Sequence, residues 1–218
     1  MEVFHARAIV FDKDGVLLDT MAMIRSAWAD WARDRGLDPD EVLASIHMTG
    51  VELLARFSPS ADPAAEFRWI GARQAGLEPS IVAFDGAAEL LQSLPRDAWA
   101  VVTSARRAVS IRHMRIAGLP LPDVLIAAED TPRGKPDPSG YLLAAQRLGA
   151  PAADCLVVED APAGIRAARG AGMFVIAVAT THARDEVGEA DTVIPSLNQL
   201  EVREGPDGRL EVRTRPSA

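Results

Sequence analysis

The stretch AIVFDKDGVLLDT, which runs from Ala8 to Thr20, decides how the rest of the chain is interpreted. Its first four residues are hydrophobic and predict a buried β-strand, which runs into Asp12 and Asp14. Residues i and i+2 of a strand face the same side, so the two carboxylates are expected to converge at its carboxyl end, with Lys13 pointing the other way. Like charges this close repel each other unless a cation lies between them. The stretch therefore predicts a divalent cation that prefers oxygen ligands, Mg²⁺.

Further short hydrophobic runs, bounded by turn residues, follow along the chain, and helical patterns separate the later ones. Continuously hydrophobic strands that alternate with helices are typical of a parallel sheet covered on both faces. The sequence therefore predicts an α/β fold with a Rossmann-like, doubly wound parallel sheet. The predicted strands are Ala8–Phe11, Trp99–Thr103, Val124–Ala127, Cys155–Val158, Phe174–Val178 and Thr192–Ile194, and the predicted helices are Arg106–Ile116, Pro138–Leu148 and Ala161–Ala171.

The segment between the first predicted strand and the rest of the sheet has a different pattern. It contains several helical periods and no strand pattern; in MIRSAWADWARDRG, Ile24, Trp28 and Trp31 share one helical face. We expect a small all-helical domain, inserted after the first strand, whose aromatic residues form its core. The predicted domains are this helical insertion at residues 19–81 and an α/β core domain at residues 1–18 and 82–218.

The end of the sequence, LEVREGPDGRLEVR, alternates hydrophobic and polar residues on both sides of Pro206-Asp207-Gly208. This pattern predicts a β-hairpin at about residues 199–214, with a structural role.

A second acidic pair follows another predicted strand. In CLVVEDAPAG the strand ends in Glu159 and Asp160, and the turn after it lets either or both reach a metal held by Asp12 and Asp14. The carboxyl ends of parallel strands meet at one edge of a sheet, where ligands bind. Carboxylates that leave room for water or substrate oxygens suit Mg²⁺. Alternatively, these acids cap the helices that follow them.

Two other strand ends carry groups that bind anions. AVVTSA ends in Thr103 and Ser104, whose hydroxyls and following N–H groups can hold anionic oxygens, although simple helix caps look the same. RGKPDP presents Lys135, one of two lysines among 23 basic residues, in a loop stiffened by glycine and proline. Its compact ammonium can neutralise charge between a phosphate and a carboxylate without the width of a guanidinium. An ordinary surface lysine is the alternative.

These segments together resemble a known family. FDKDGVLLD, VVTS, RGKPDP and VVEDAPAGIRAARGAG are similar, in order and spacing, to the four motifs of the haloacid-dehalogenase-like (HAD) phosphohydrolases. The resemblance covers nearly the whole chain, and the helical insertion resembles the small C1 cap of that superfamily. More narrowly, AWADWARDRGLDPDEVLASIH, AGLPLPDVLIAAED and YLLAAQRLGAPAADCLVVEDAPAGI resemble segments of bacterial sugar and hexitol phosphatases.

The resemblance implies a covalent mechanism. Asp12 is expected to be the nucleophile that becomes phosphorylated, and Asp14 the general acid/base whose backbone carbonyl also binds Mg²⁺. To donate a proton near neutral pH, Asp14 needs a raised pKa, which we expect burial and closure of the cap to provide. True dehalogenases of the superfamily lack this second aspartate, so Asp14 favours phosphoester chemistry.

The resemblance also assigns the binding residues. Thr103 and Ser104 are expected to hold the phosphoryl oxygens, and Lys135 to neutralise charge beside them. Asp160, helped by Glu159, is expected to complete the metal site.

The cap is expected to select the substrate. The segment HMTGVE departs from the related phosphatases at Met48 and Gly50, so that His47 is expected either to reach the leaving group or to serve packing. The other histidines are expected to be structural or exposed.

Three functions remain open on the sequence. The leading one is a Mg²⁺-dependent phosphatase that hydrolyses a small sugar or polyol phosphate monoester. A phosphomutase of the β-phosphoglucomutase type shares all the motifs. A non-catalytic phosphometabolite-binding module would not need both Asp12 and Asp14.

The composition argues against some classes of binding partner. The net charge of -8 and the pI near 5.0 argue against nucleic acid or an anionic membrane surface as the main partner. No hydrophobic run approaches the length of a membrane span. Cys155 is the single cysteine of the 218 residues, which excludes an internal disulfide and favours a reducing cytoplasm. We expect a cytoplasmic monomer or weak homo-oligomer.

Overall fold

The computed structural model of the protein describes residues 2–205 and 208–215. The β-strands are β1 (Val3–Ala6), β2 (Ala8–Asp12), β3 (Leu18–Asp19), β4 (Val82–Ala83), β5 (Trp99–Val102), β6 (Val124–Ile126), β7 (Cys155–Glu159), β8 (Phe174–Val178), β9 (Thr192–Ile194), β10 (Leu200–Glu204) and β11 (Leu210–Thr214). The α-helices are α1 (Met21–Asp34), α2 (Pro39–Ala44), α3 (Gly50–Phe57), α4 (Pro63–Ala75), α5 (Ala87–Ser93), α6 (Arg107–Ile116), α7 (Ser139–Arg147) and α8 (Pro162–Gly170).

The main sheet is six-stranded, in the order β6-β5-β2-β7-β8-β9, and its strand pairs are parallel. Along β2, Ile9 and Phe11 join the hydrophobic core on one face of the sheet, and Ala8 and Val10 join the core on the other. Both faces are therefore covered, which explains why these strands are hydrophobic throughout. The predicted α/β fold is confirmed, and the predicted strand and helix ends differ from the observed ones by at most one residue.

Helices α1 to α4 follow one another between the short strands β3 and β4. They pack around a hydrophobic cluster of their own, in which Trp28, Trp31, Leu53 and Ile70 are buried. Where the chain leaves and re-enters the sheet region, β3 and β4 pair antiparallel, a feature that the sequence did not predict. This segment is called the cap below; the division at residues 19–81 stays a prediction.

The C-terminal strands β10 and β11 pair antiparallel, and the unpredicted strand β1 adds to the other side of β11. Pro206 and Asp207, the predicted turn of this hairpin, lie outside the described residues. Within residues 2–205 and 208–215, none of the helices combines the length and the hydrophobicity that crossing a membrane requires.

Candidate active site

A cavity of about 1070 Å³ lies between the carboxyl edge of the main sheet and the cap. Strands β2 and β7 end at this edge, and the loops after β5 and β6 border it, as expected for ligand sites in parallel sheets. The structure thus brings most of the predicted polar residues to one place, because neighbouring parallel strands end side by side; Thr103 does not line the cavity but bonds to Asp14. The sheet side contributes Asp12, Asp14, Ser104, Lys135, Glu159 and Asp160, and the cap contributes Trp28, His47, Met48 and Phe67 among others.

Asp12, the last residue of β2, is held by Lys135. The Lys135 Nζ donates hydrogen bonds to Asp12 Oδ1 and to Glu159 Oε1, so that one ammonium bridges two buried carboxylates. Burial raises the pKa of Asp12 to about 7; Lys135 opposes this shift, while the charges of Glu159 and Asp14 add to it. Although burial disfavours its charge, attraction to both carboxylates raises the pKa of Lys135. Lys135 therefore stays a cation beside Asp12.

Glu159 is fully engaged by protein donors. Its Oε1 accepts hydrogen bonds from Lys135 and from the Tyr141 hydroxyl, the latter at 2.8 Å. Its Oε2 accepts the backbone N–H groups of Asp160 at 2.8 Å and Ala161 at 3.0 Å. Burial alone would raise its pKa, but Lys135 and these donors lower it. This arrangement favours a role in holding Lys135 over the predicted direct contact with a metal, which stays a prediction.

Asp160 lies against the loop that follows β2. It is 3% exposed, and its Oδ2 accepts a hydrogen bond from the Thr181 hydroxyl. Gly15, with φ of 90°, passes so close that a Cβ there would collide with the Asp160 carboxylate. Burial, followed by the charges of Glu159 and Asp12, raises the pKa of Asp160 well above its ordinary value. A glycine at position 15 is thus required both by its backbone angle and by this close approach.

The carboxylates at the edge of the cavity fit Mg²⁺ as an open site, in which water or substrate supplies the other ligands. Within the described residues, no three side chains of His, Cys, Asp or Glu converge as a ready-made metal site. Burial and the charges of Glu159 and Asp12 nevertheless raise the pKa of Asp160, which shows negative charge around Asp160 that the nearby donors do not offset. Mg²⁺ commonly binds through one or two carboxylates and keeps waters or substrate oxygens as its other ligands. Two carboxylates that repel each other at the edge of an open cavity suit that mode of binding.

Asp14 has an environment opposite to the expected one. Thr20 Oγ1 donates a hydrogen bond to its Oδ1 at 2.6 Å, and Thr103 Oγ1 donates to its Oδ2 at 3.3 Å. The buried Lys13 Nζ lies 2.8 Å from Asp14 Oδ1, in an ion pair. Burial would raise the pKa of Asp14, but Lys13 and Thr20 lower it below its usual value. The expectation of a raised pKa is therefore wrong, as is the expectation that Lys13 points away from Asp14.

The three remaining predicted residues make contacts within the protein. Thr103 Oγ1, besides its bond to Asp14, accepts the backbone N–H of Ala105 at 3.1 Å. Ser104 Oγ donates to the backbone carbonyl of His47 at 3.1 Å, which joins the core to the cap. His47 is partly buried, and burial followed by the charge of Arg166 lowers the pKa of its ring. Binding of phosphoryl oxygens by Thr103 and Ser104, and of substrate by His47, stays a prediction.

Sequence reasoning missed several residues of this site. Lys13 and Tyr141 could have been noticed because their residue types are rare in this sequence, which has two lysines and one tyrosine. Thr181 and Arg166 gave no such signal, because their places depend on packing. His113 and His182 both line the cavity, and His113 is buried with its Nε2 3.3 Å from Glu78 Oε1, which agrees with the structural role expected of it.

Comparison with known proteins identifies the family. Residues 6–172 match the family described as "Hydrolase: haloacid dehalogenase-like hydrolase". The chain belongs to this family. The HAD hydrolase is 41% identical over 215 residues to hexitol phosphatase A of Escherichia coli (strain K12), covering 96% of this chain and 100% of that protein. It is 36% identical over 208 residues to validoxylamine A 7'-phosphate phosphatase of Streptomyces hygroscopicus subsp. limoneus, covering 89% and 95%.

Solved structures share its fold. A crystal structure of β-phosphoglucomutase from Clostridium difficile has a TM-score of 0.77 to the HAD hydrolase, at 24% identity, over 90% of this chain and 93% of that one. At this identity the likeness shows the fold and not the activity. The family match and the relatives named as phosphatases confirm the predicted family and the predicted enzyme class, a phosphoric monoester hydrolase.

Proposed function

We propose that this HAD hydrolase is a Mg²⁺-dependent phosphatase that hydrolyses a small sugar or polyol phosphate through an aspartyl-phosphate on Asp12. The observation that carries the proposal is the position of Asp12. Its carboxylate lies at the end of β2, lines the cavity, and is held at Oδ1 by Lys135, which leaves Oδ2 as the candidate attacking atom.

Lys135 makes attack by an anion on an anion feasible. A carboxylate and a phosphoryl group repel each other, and a preorganised cation beside both lowers that cost most as charge shifts in the transition state. Attack by Asp12 forms a bond to phosphorus and releases the alcohol, which replaces one difficult step by two easier ones. Glu159, which binds the same ammonium, holds Lys135 at the required place.

Asp14 would serve both halves of the reaction. It would donate a proton to the departing alkoxide and then accept one from the water that attacks the phosphoenzyme. The ionised form that Lys13 and Thr20 favour suits the second half. In the first half Asp14 needs a proton, so bound substrate has to loosen those two contacts.

The metal would be held by the carboxylates of Asp12 and Asp160 and by the backbone carbonyl of Asp14. Bound Mg²⁺ would neutralise charge on the phosphoryl oxygens in the transition state. Thr103 and Ser104 would complete the binding of those oxygens, after their hydroxyls exchange their present partners.

The substrate class rests on the relatives and on the size of the cavity. Hexitol phosphatase A and validoxylamine A 7'-phosphate phosphatase are named for the phosphates of a hexitol and of validoxylamine A. A cavity of about 1070 Å³ has room for such a leaving group between the sheet and the cap. These two observations support a sugar or polyol phosphate as the substrate.

A panel of phosphorylated sugars and polyols tests the proposal, with released phosphate and consumed substrate both measured, with Mg²⁺ and after chelation. Equal molar amounts of phosphate released and substrate lost are expected, and Asp12→Asn should remove turnover while preserving the fold. An isomerised sugar phosphate without free phosphate would instead identify a phosphomutase. Full activity in Asp12→Asn would exclude the covalent mechanism.

A further inference from the structure

A contact between the cap and the loop of Lys135 has no role in the chemistry described above. Glu52, in the first turn of α3, accepts a hydrogen bond from the backbone N–H of Gly134 through Oε1, at 2.9 Å. Gly134 directly precedes Lys135. A carboxylate of the cap thus holds the peptide group next to the ammonium that binds Asp12.

The Glu52 carboxylate is fixed before it meets the core. Thr49, the N-cap of α3, donates its backbone N–H at 2.8 Å and its hydroxyl at 2.7 Å to Glu52 Oε2, and its hydroxyl also accepts the Glu52 N–H. The two residues form a capping box. Because Thr49 already holds the second oxygen of the carboxylate, Glu52 loses little conformational entropy when it binds Gly134. More of the hydrogen-bond energy therefore stabilises the contact.

On the core side of the contact, the lack of a side chain at Gly134 lets the cap come close. A Cβ at Gly134 would lie 2.7 Å from Glu52 Oε2 and 2.9 Å from Thr49 Cγ2, so only glycine allows this approach. The hydrogen bonds from Gly134 and Thr49 lower the pKa of Glu52, although burial alone would raise it. Glu52 is therefore charged at neutral pH, and a charged acceptor makes a hydrogen bond stronger than a neutral one does.

Two further contacts join the same parts of the molecule. Ser104 Oγ donates to the carbonyl of His47, and the Arg106 guanidinium lies 5.3 Å from the centre of the Phe67 ring. Among the described residues, Glu52 is not one of those that line the cavity, whereas its neighbour Leu53 is. Glu52 therefore acts on the loop and not on a bound substrate.

We propose that Glu52 is a positioning residue, a latch that couples the closed position of the cap to the placement of Lys135. This inference rests on the proposed function for the role of Lys135, but the latch itself is a structural statement. When the cap is closed, Glu52 holds the Gly134 peptide group and with it the loop that presents Lys135 to Asp12 and Glu159. When the cap opens, the loop loses this restraint.

The contact is tested by hydrogen exchange at the Gly134 amide, which needs no substrate. In Glu52→Ala, and less so in Glu52→Gln, protection of this amide should fall about tenfold, the factor expected for loss of a hydrogen bond to a charged group. Glu41→Gln is the matched control, since Glu41 is an exposed first-turn carboxylate of another cap helix. Unchanged Gly134 protection in a folded Glu52→Ala variant would overturn the latch.

The coupling to Lys135 is tested by kinetics with p-nitrophenyl phosphate and with the best substrate of the panel. In Glu52→Ala, and less so in Glu52→Gln, kcat should fall about tenfold while KM changes much less, because Glu52 touches no substrate. Gly134→Ala should have a similar effect, and the double variant with Glu52→Ala should be less than additive. Lost protection with wild-type kcat would overturn the coupling. A chain without phosphatase activity would refute the proposed function, while the exchange measurement would still decide the latch.

Discussion

Lys13 Nζ lies 2.8 Å from Asp14 Oδ1 in the interior, and Lys13 has no exposed surface. Attraction between the two charges is the largest of the effects that lower the pKa of Asp14, ahead of hydrogen bonding. The only other lysine of the chain binds Asp12. Each aspartate of the DKDG stretch thus has one ammonium beside it. The pKa values of the two carboxyl groups nevertheless differ in direction, because that of Asp12 is raised and that of Asp14 is lowered.

Lys13→Met tests what this ion pair does. Methionine has a similar length and suits a buried site, but a carboxyl without its ammonium keeps its proton to higher pH. We expect the alkaline limb of the pH profile of kcat, which reports loss of a required proton, to move upward. Arg115→Met, at an exposed site on α6, is the control. An unmoved alkaline limb would exclude control of Asp14 by Lys13.

The free energy of unfolding of the metal-free protein should depend on pH through the titration of Asp12. Its pKa rises from 3.8 to about 7 on folding, so the folded state binds more protons between these values. Its contribution to stability is full below about pH 4 and is lost as pH rises to about 7. His113, whose pKa is lowered from 6.5, acts in the opposite direction at acidic pH. Asp160, whose pKa is also raised and is raised further by the charge of Asp12, acts in the same direction as Asp12. Comparison with Asp12→Asn therefore measures the contribution of Asp12 together with its effect on Asp160.

Denaturant unfolding after chelation, at about pH 5 and about pH 8, measures this effect. Relative to the wild type, Asp12→Asn should be more stable at the higher pH than at the lower one. Added Mg²⁺ should stabilise the wild type more than the variant, because it binds the ionised form. Parallel pH curves for the two proteins would contradict the raised pKa.

Lys135→Arg should be harmful although it preserves the charge. The ammonium is bonded to two buried carboxylates, and a planar guanidinium is wider and directs its donors differently. We expect kcat/KM to fall by about tenfold or more, the effect of misplacing a charged donor. Arg133→Lys, in the same loop but with 74% of its side chain exposed, should leave kinetics unchanged. Wild-type kinetics in Lys135→Arg would show that the shape of the cation is irrelevant.

Two glycines of α8 offer a matched pair. A Cβ at Gly164 would collide with the Glu159 carboxylate, whereas a Cβ at Gly170 would lie 3.6 Å from Pro138, an ordinary contact. Gly164→Ala should displace Glu159 from Lys135 and lower both kcat and the free energy of unfolding, the latter by about 1–3 kcal/mol. Gly170→Ala should be neutral or slightly stabilising, since alanine favours helix. Equal effects of the two changes would contradict the packing of Glu159 against α8.

The sequence by itself determined the fold and most of the candidate site. Hydrophobic runs that alternate with helical periods require a doubly covered parallel sheet, and acids placed after β2 and β7 must then meet at one edge. Both inferences depend only on local hydrophobic periodicity, which can be read directly from the sequence. Asp12 and Asp160 were found in this way, whereas Lys135 was singled out by the rarity of lysine, by its loop of glycine and proline and by the family resemblance.

Only the tertiary structure decided what each of these groups bonds to. Lys13 turns towards Asp14, Glu159 is held by Lys135 and Tyr141, and Glu52 reaches Gly134 across the boundary between cap and core. Some of these partners are far apart in the sequence, and others lie on a turn. Hydrophobic periodicity does not predict the path of a turn. The pKa of a buried carboxyl depends on the nearest charges and on burial, both of which are set by the three-dimensional packing.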